Sequence, residues 1–232
     1  MDDIETLKRR AGEAAAGLVR SGTVVGLGTG STARYVIAAI GRALADGTLT
    51  DVSGVPTSAA CERMAREAGI PLVELGAAGV DIAIDGADEI DPALEAIKGL
   101  GGAMTREKIV AAAARRFVLV ADATKRVERL GERAPVPVEV LRFGWRRTAA
   151  ALASLGCTPR LRGGEAAPAL TDNGHPVLDC AVPAGFDAAA FAAAVDTLPG
   201  VVGTGLFLGL ARTAFIAGDG DVVRLERGGA AS

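Results

Sequence analysis

"TVVGLGTGSTARYVIAAIGRALADG", residues 23–47, changes character part-way along. Its first six residues, "TVVGLG", are rich in β-branched side chains and read as a short strand. The glycines at 28 and 30 break that run, and "STARYVIAAIGRALADG" supplies the helix that follows. A strand, a glycine-rich loop and a helix in this order are the building unit of an α/β fold.

The same alternation extends to both sides. Residues 3–20 read as an amphipathic helix, with Ile4, Leu7, Ala11, Ala14, Leu18 and Val19 at helical spacing. A strand near 51–55 precedes a helix from Ser58 to about Ala68, with Ser58 as its N-cap. "PLVEL" (71–75) and "VDIAI" (80–84) read as strands. Thr105 is the expected N-cap of "REKIVAAAARR", which runs into the strand "FVLVAD" (117–122). Short apolar strands between helices predict a Rossmann-like parallel sheet covered on both faces.

The texture changes after Gly131. "APVPVEVL" sets two prolines beside a strand, as an edge strand or a linker would. A helix over 146–155, strands near 158–162 and 176–182, a helix over 187–197 and the strand "VVGTGLFLG" complete a β-α-β-β-α-β order, the ferredoxin-like α+β arrangement. "TAFIAG" and "GDVVRLE" read as two strands returning to the first domain. The expected division is therefore 1–132 with 207–232 as the Rossmann-like catalytic domain, and 133–206 as the smaller ferredoxin-like domain.

Composition removes whole classes of function. Half of the 232 residues are hydrophobic but only 3% are aromatic, so the core is built of Ala, Val, Leu and Ile. A net charge of −3 and a pI near 5.3 argue against nucleic acid as a partner, because that affinity rests on clustered Lys and Arg. Cys61, Cys157 and Cys180 lack the spacing of a zinc site or a disulfide framework. With His175 alone, in a turn after Asn173-Gly174, neither a histidine triad nor a multi-histidine metal site can be assembled. There is no apolar run of membrane-spanning length and no basic leader, so no membrane partner is expected and the expected location is cytoplasmic.

Three segments carry candidate chemistry. "GLGTGSTA" (26–33) lies between strand and helix, where backbone N–H groups and the helix dipole attract an anion. It fits a phosphate, and loosely a dinucleotide, although no acid sits convincingly on the next strand tip to hold a ribose and the Walker lysine is absent. "DIAIDGADEID" (81–91) packs five carboxylates where a buried strand ends. Asp85 and Asp88, around Gly86-Ala87, suit a ligand site at the carboxyl edge of the sheet. Asp81, Glu89 and Asp91 suit solvation or structural roles, and the spacing does not fit an EF-hand. "IKGLGGAMTREK" (97–108) adds Lys98, a glycine-rich turn and Glu107 near a helix start. There Glu107 is either a general base or an ordinary acid of the first helical turn. A carboxylate base, a lysine and a phosphate loop, with no metal ligands, suit proton transfer on a phosphorylated sugar.

"GLGTGSTA", "AIDGADEID", "KGLGGAMTREKIVA" and "VADATKRV", in this order, resemble the type A ribose-5-phosphate isomerases. "TDNG" (171–174) and "LPGVV" (198–202) extend the resemblance over nearly the whole chain. It implies interconversion of ribose 5-phosphate and ribulose 5-phosphate through an enediolate, with neither cofactor nor metal, in the pentose phosphate pathway. The family's base falls on Glu107. Its substrate-binding stretches fall on Thr29, Gly30, Ser31 and Thr32, on Asp85, Gly86, Ala87 and Asp88, and on Lys98, Gly99, Leu100 and Gly101, with Lys125 as a further binding lysine. Asp85, Asp88 and Lys98 are implied in opening the sugar ring, and a homodimer or tetramer is the implied assembly. One departure stands out. The family's run of glycines after the lysine is interrupted by Leu100, which would cost about 1–2 kcal/mol if the backbone there needed positive φ. The rival reading is a non-catalytic sugar-phosphate sensor of the same fold, which would not need Glu107. A coenzyme A transferase and an NAD dehydrogenase rank behind it.

Overall fold

The computed structural model describes residues 3–228. In chain order the first elements are α1 (Ile4–Ala16), β1 (Val24–Leu27), α2 (Ala33–Ala45), β2 (Ser53–Pro56) and α3 (Ala59–Glu67). Next come β3 (Ile82–Gly86), β4 (Glu89–Ile90), β5 (Ala96–Ile97), α4 (Met104–Ala112) and β6 (Phe117–Asp122). A 3₁₀ turn at Ala123–Lys125 leads on to β7 (Val136–Val140), α5 (Trp145–Ala153), β8 (Thr158–Leu161) and β9 (Val177–Ala181). The chain ends with α6 (Ala188–Val195), β10 (Val201–Thr204), β11 (Leu206–Phe207), β12 (Ala211–Ala217) and β13 (Val222–Glu226). These form two compact units.

Among the described residues, the first unit comprises 3–87, 106–126 and 209–228. Its six-stranded sheet runs β13-β12-β6-β3-β1-β2. All neighbours are parallel except β13, which turns back antiparallel on β12. Every residue of β6 is buried, as expected of a central strand covered on both faces. Val25, Leu27, Val36, Ile37, Ile40, Ile84, Val118 and Val120 share one core. Each such side chain contributes about 1.5–3 kcal/mol through burial. Ser58 caps α3 as the sequence predicts, its Oγ accepting from the Cys61 N–H at 3.0 Å. The strand expected at 71–75 reduces to one bridge, Gly54 with Leu72, since Pro71 cannot donate to a ladder and Gly76 follows directly. Helix α1 stops at Ala16, earlier than its apolar spacing suggests: after Gly17 the Leu18 and Val19 N–H groups bond three residues back, to the Ala15 and Ala16 carbonyls at 3.0 Å each, in a tighter final turn.

The second unit comprises 88–105 and 127–208, so the segment 88–105 belongs here and not with the parallel sheet. Strands β10-β7-β9-β8 form an antiparallel sheet, and with α5 and α6 they make the ferredoxin-like α+β arrangement. Its core holds Val136, Val138, Val140, Leu152, Leu178, Phe191 and Val195. Strand β7 is neither an edge nor a linker: it is fully buried between β9 and β10. Pro137 is tolerated because its carbonyl accepts from Gly205, so its missing N–H faces the point where pairing with β10 has ended at Thr204. The single strand expected over 201–209 divides at Gly205, and β11 joins β5 and β4 in a separate three-stranded sheet.

Candidate active site

In the first unit, the loops that follow β1, β3 and β6 emerge from neighbouring positions in the parallel sheet, at the carboxyl ends of the strands. Asp85 is next to last in β3 and is 2% exposed. Its Oδ1 accepts from the Thr29 N–H at 3.0 Å and from the Gly86 N–H at 2.7 Å. The buried carboxylate therefore ties the loop after β1 to the loop after β3. Gly28 lies so close to Asp85 that a side chain of any kind would overlap it.

Residues 29–32 do not share one role. Gly30, at φ +119°, and Ser31 are exposed. The Thr29 hydroxyl is 2.8 Å from Thr57 Oγ1 and donates to Ser58 Oγ at 2.7 Å, which fixes the loop from the α3 side. Thr32 is buried at the start of α2, and its hydroxyl makes no cap bond to the helix. The first N–H groups of α2 thus have no capping side chain from Thr32, as an anion-binding helix start requires.

Glu107 lies in the first turn of α4 and is 4% exposed. The helix starts at Met104, so Thr105 is inside it and is not its N-cap. The Thr105 hydroxyl instead donates to Glu139 in the second unit's β7. In the first unit α4 packs closely on the sheet: a Cβ on Gly26 would meet Val110 and Ala83. Burial pushes the Cys61 thiol up to about 12, and the charges of Asp85 and Glu107 push it the same way. Both carboxylates are therefore near one buried thiol, whose Sγ donates to the Leu27 carbonyl at 3.2 Å. Lys125 is half-buried at the end of the 3₁₀ turn after β6. Asp122, fully buried, caps that turn, its Oδ1 accepting from the Thr124 N–H at 3.0 Å.

The second unit carries Asp88 and residues 98–101. Lys98 is 2% exposed, with Nζ 5.3 Å from the centroid of the Phe207 ring, a cation–π contact. Asp88 Oδ2 accepts from the Leu100 N–H at 2.9 Å. Positive φ is taken by Gly99 (+106°) and Gly102 (+83°), not by Leu100. Leucine therefore brings no backbone strain, and its side chain is 43% exposed. Gly99 also meets Met104, where a Cβ would sit 2.7 Å from that side chain.

The other three acids of 81–91 serve the backbone. Asp81 accepts from the Val24 N–H, and Asp91 accepts from the Ala93 and Glu95 N–H groups. Glu89 is 1% exposed and accepts from Gly131, Arg133 and Ala134, so it is a buried structural acid, not a solvated one. Among the described residues, no group of three or more His, Cys, Asp and Glu side chains is placed to hold a metal ion. Sequence reasoning also passed over Glu139, fully buried, which accepts from Thr105, Thr171 and Asn173. One charged residue in the apolar run "VPVEV" was the available signal.

The family model for ribose 5-phosphate isomerase A (phosphoriboisomerase A) matches residues 53–221. The chain belongs to the ribose-5-phosphate isomerase A family. The isomerase A of Deinococcus radiodurans is 49% identical over 225 residues, covering 97% of this chain and 100% of that protein. That of Roseiflexus castenholzii is 54% identical over 228 residues, covering 97% of each. Among solved structures, a D-ribose-5-phosphate isomerase in complex with phospho-erythronic acid superposes with a TM-score of 0.93 at 35% identity, covering 97% of this chain and 100% of that one. The isomerase A of Methanocaldococcus jannaschii gives a TM-score of 0.90 at 38% identity, covering 96% and 99%. The family's fold therefore runs through both units of this chain.

Proposed function

We propose that this chain interconverts D-ribose 5-phosphate and D-ribulose 5-phosphate, an aldose–ketose isomerisation of the pentose phosphate pathway. The observation that carries the reading is the buried Glu107 at the start of α4, in the same unit as Asp85 and the open loop at 29–32. A carboxylate shielded from water is a stronger base than a solvated one, and at a helix start it stays ionised.

The roles are those that the family resemblance implies for these residues, and the chemistry of the groups suits them. Residues 29–32 hold the phosphate at the start of α2, with Lys125 adding positive charge. Lys8, whose Nζ donates to Glu5 at 2.9 Å, is the weaker candidate there. Asp85, Asp88 and Lys98 move the hydroxyl proton that opens the furanose ring. Glu107 takes the C2 proton of the open aldose, leaving an enediolate, and returns it to C1 while the hydroxyl proton on O2 passes to O1, which leaves the carbonyl at C2. Lys98 and backbone N–H groups of 99–101 stabilise the negative oxygen. Gly86 and Ala87 leave room for the sugar beside Asp85. No step calls for a metal or an organic cofactor.

The test is isomerisation by the purified protein with and without a chelator. Equal rates are expected, whereas ribose 5-phosphate binding without turnover would favour a sensor. The working form is read as a cytoplasmic homodimer, with a tetramer as the alternative. Light scattering should then give twice the 23.3 kDa chain mass, and a mass of one chain would refute it.

A further inference from the structure

We propose that Arg162 is a positioning residue for the isomerisation, setting the direction of the backbone N–H groups in the 98–101 loop. The proposal rests on reading that loop as substrate-binding. Arg162 follows β8, and its own N–H pairs with the Val177 carbonyl at 2.9 Å. Its Nη1 donates to the carbonyls of Gly99 at 2.9 Å and Leu100 at 3.1 Å. The other side of the guanidinium is clamped by Asp179 in β9: Nε donates to Oδ2 at 3.0 Å and Nη2 donates to Oδ1. Four of its five N–H groups are thus committed in one plane, a fork that lysine cannot reproduce. Both side chains are largely buried, 18% and 23% exposed, so water screens the clamp less than it would a surface pair.

The consequence follows from peptide planarity. In a trans peptide the C=O of one residue and the N–H of the next point in opposite directions, and no cis peptide occurs among the described residues. Drawing the Gly99 carbonyl to Arg162 therefore turns the Leu100 N–H away from it. That N–H donates to Asp88 Oδ2 at 2.9 Å. By the same logic, holding the Leu100 carbonyl turns the Gly101 N–H away from Arg162. Gly101 is exposed, and no protein acceptor takes its N–H among the described residues. Arg162 thereby orients a backbone donor for a negative oxygen formed in the reaction, without touching the sugar itself. Donors fixed in advance lower the barrier because they need not reorganise as charge develops.

The experiment compares wild type, Arg162→Met, Arg162→Lys and Asp179→Asn for kcat, KM and Tm. For Arg162→Met the expected result is a fall in kcat of about 10- to 100-fold, less than the loss of a direct oxyanion donor. KM should change by less than about threefold, because the donor acts mainly on the transition state. Arg162→Lys should recover only part of kcat, Asp179→Asn should lose less than Arg162→Met, and added guanidinium at low millimolar concentration should partly rescue Arg162→Met. An unchanged kcat in Arg162→Met would overturn the proposal. So would a loss that matches the unfolded fraction and does not respond to guanidinium. Glu107→Gln run alongside separates the two readings. If it is inert while Arg162→Met is normal, only the positioning role fails; if it turns over at the wild-type rate, the site assignment itself fails.

Discussion

A Cβ placed on Gly28 would overlap the Asp85 carboxylate and lie 2.5 Å from the Asp85 Cα. Neither neighbour can yield, because Asp85 is held by the Thr29 and Gly86 N–H groups. Gly28→Ala should cost about 1–3 kcal/mol by overpacking, read as a lower Tm. Activity should fall further than stability, since the displaced group is Asp85, and a kcat within twofold of wild type would contradict this. At this scale the sequence was legible where chemistry is local. Asp85 stands out because an acid after "VDIAI" sits at a strand end. Glu89 was not legible, because the three N–H groups that neutralise it lie 42 to 45 residues away. Arg162 was hidden for the same reason, its targets at 99 and 100 being more than sixty positions off.

Among the elements, α1 and α2 are joined by a charged contact that depends on pH. Glu5 accepts from Lys8 at 2.9 Å and from the Tyr35 hydroxyl at 2.8 Å, with Arg34 also paired to it. Together these hold its carboxyl down at about 2, below the ordinary 4.5, with the Lys8 bond the largest cause. A lowered folded-state value means that ionised Glu5 contributes in full above about pH 4.5 and stops contributing as pH falls through about 2. Glu5→Gln should therefore lower Tm at neutral pH, modestly for so exposed a pair, and the gap from wild type should close near pH 2. A gap independent of pH would mean that packing, not charge, is lost. Periodicity and caps revealed most elements, including Ser58 at the start of α3. Strand β7 was misjudged because its prolines signal an edge, whereas one faces the end of a ladder that a central strand can spare.

For the whole molecule, the alternation of strands and helices sufficed to predict a parallel sheet, and β-α-β-β-α-β sufficed for the second arrangement. What the pattern could not show was which unit receives residues 88–105. That segment forms short strands β4 and β5, which pair with each other, and β11, the other partner of β5, lies more than a hundred residues later. Its placement divides the proposed site residues, with Asp85, Glu107 and Lys125 in one unit and Asp88 and Lys98 in the other. The proposed isomerisation turns on Glu107 carrying the proton between C2 and C1. Following ribose 5-phosphate by proton NMR in deuterated water, with wild type and with Glu107→Gln, tests it most directly. Wild type should form ribulose 5-phosphate with deuterium entering at the exchanging carbon. Glu107→Gln should bind near-normally, with turnover and exchange both reduced by orders of magnitude. Wild-type turnover and exchange in Glu107→Gln would contradict it.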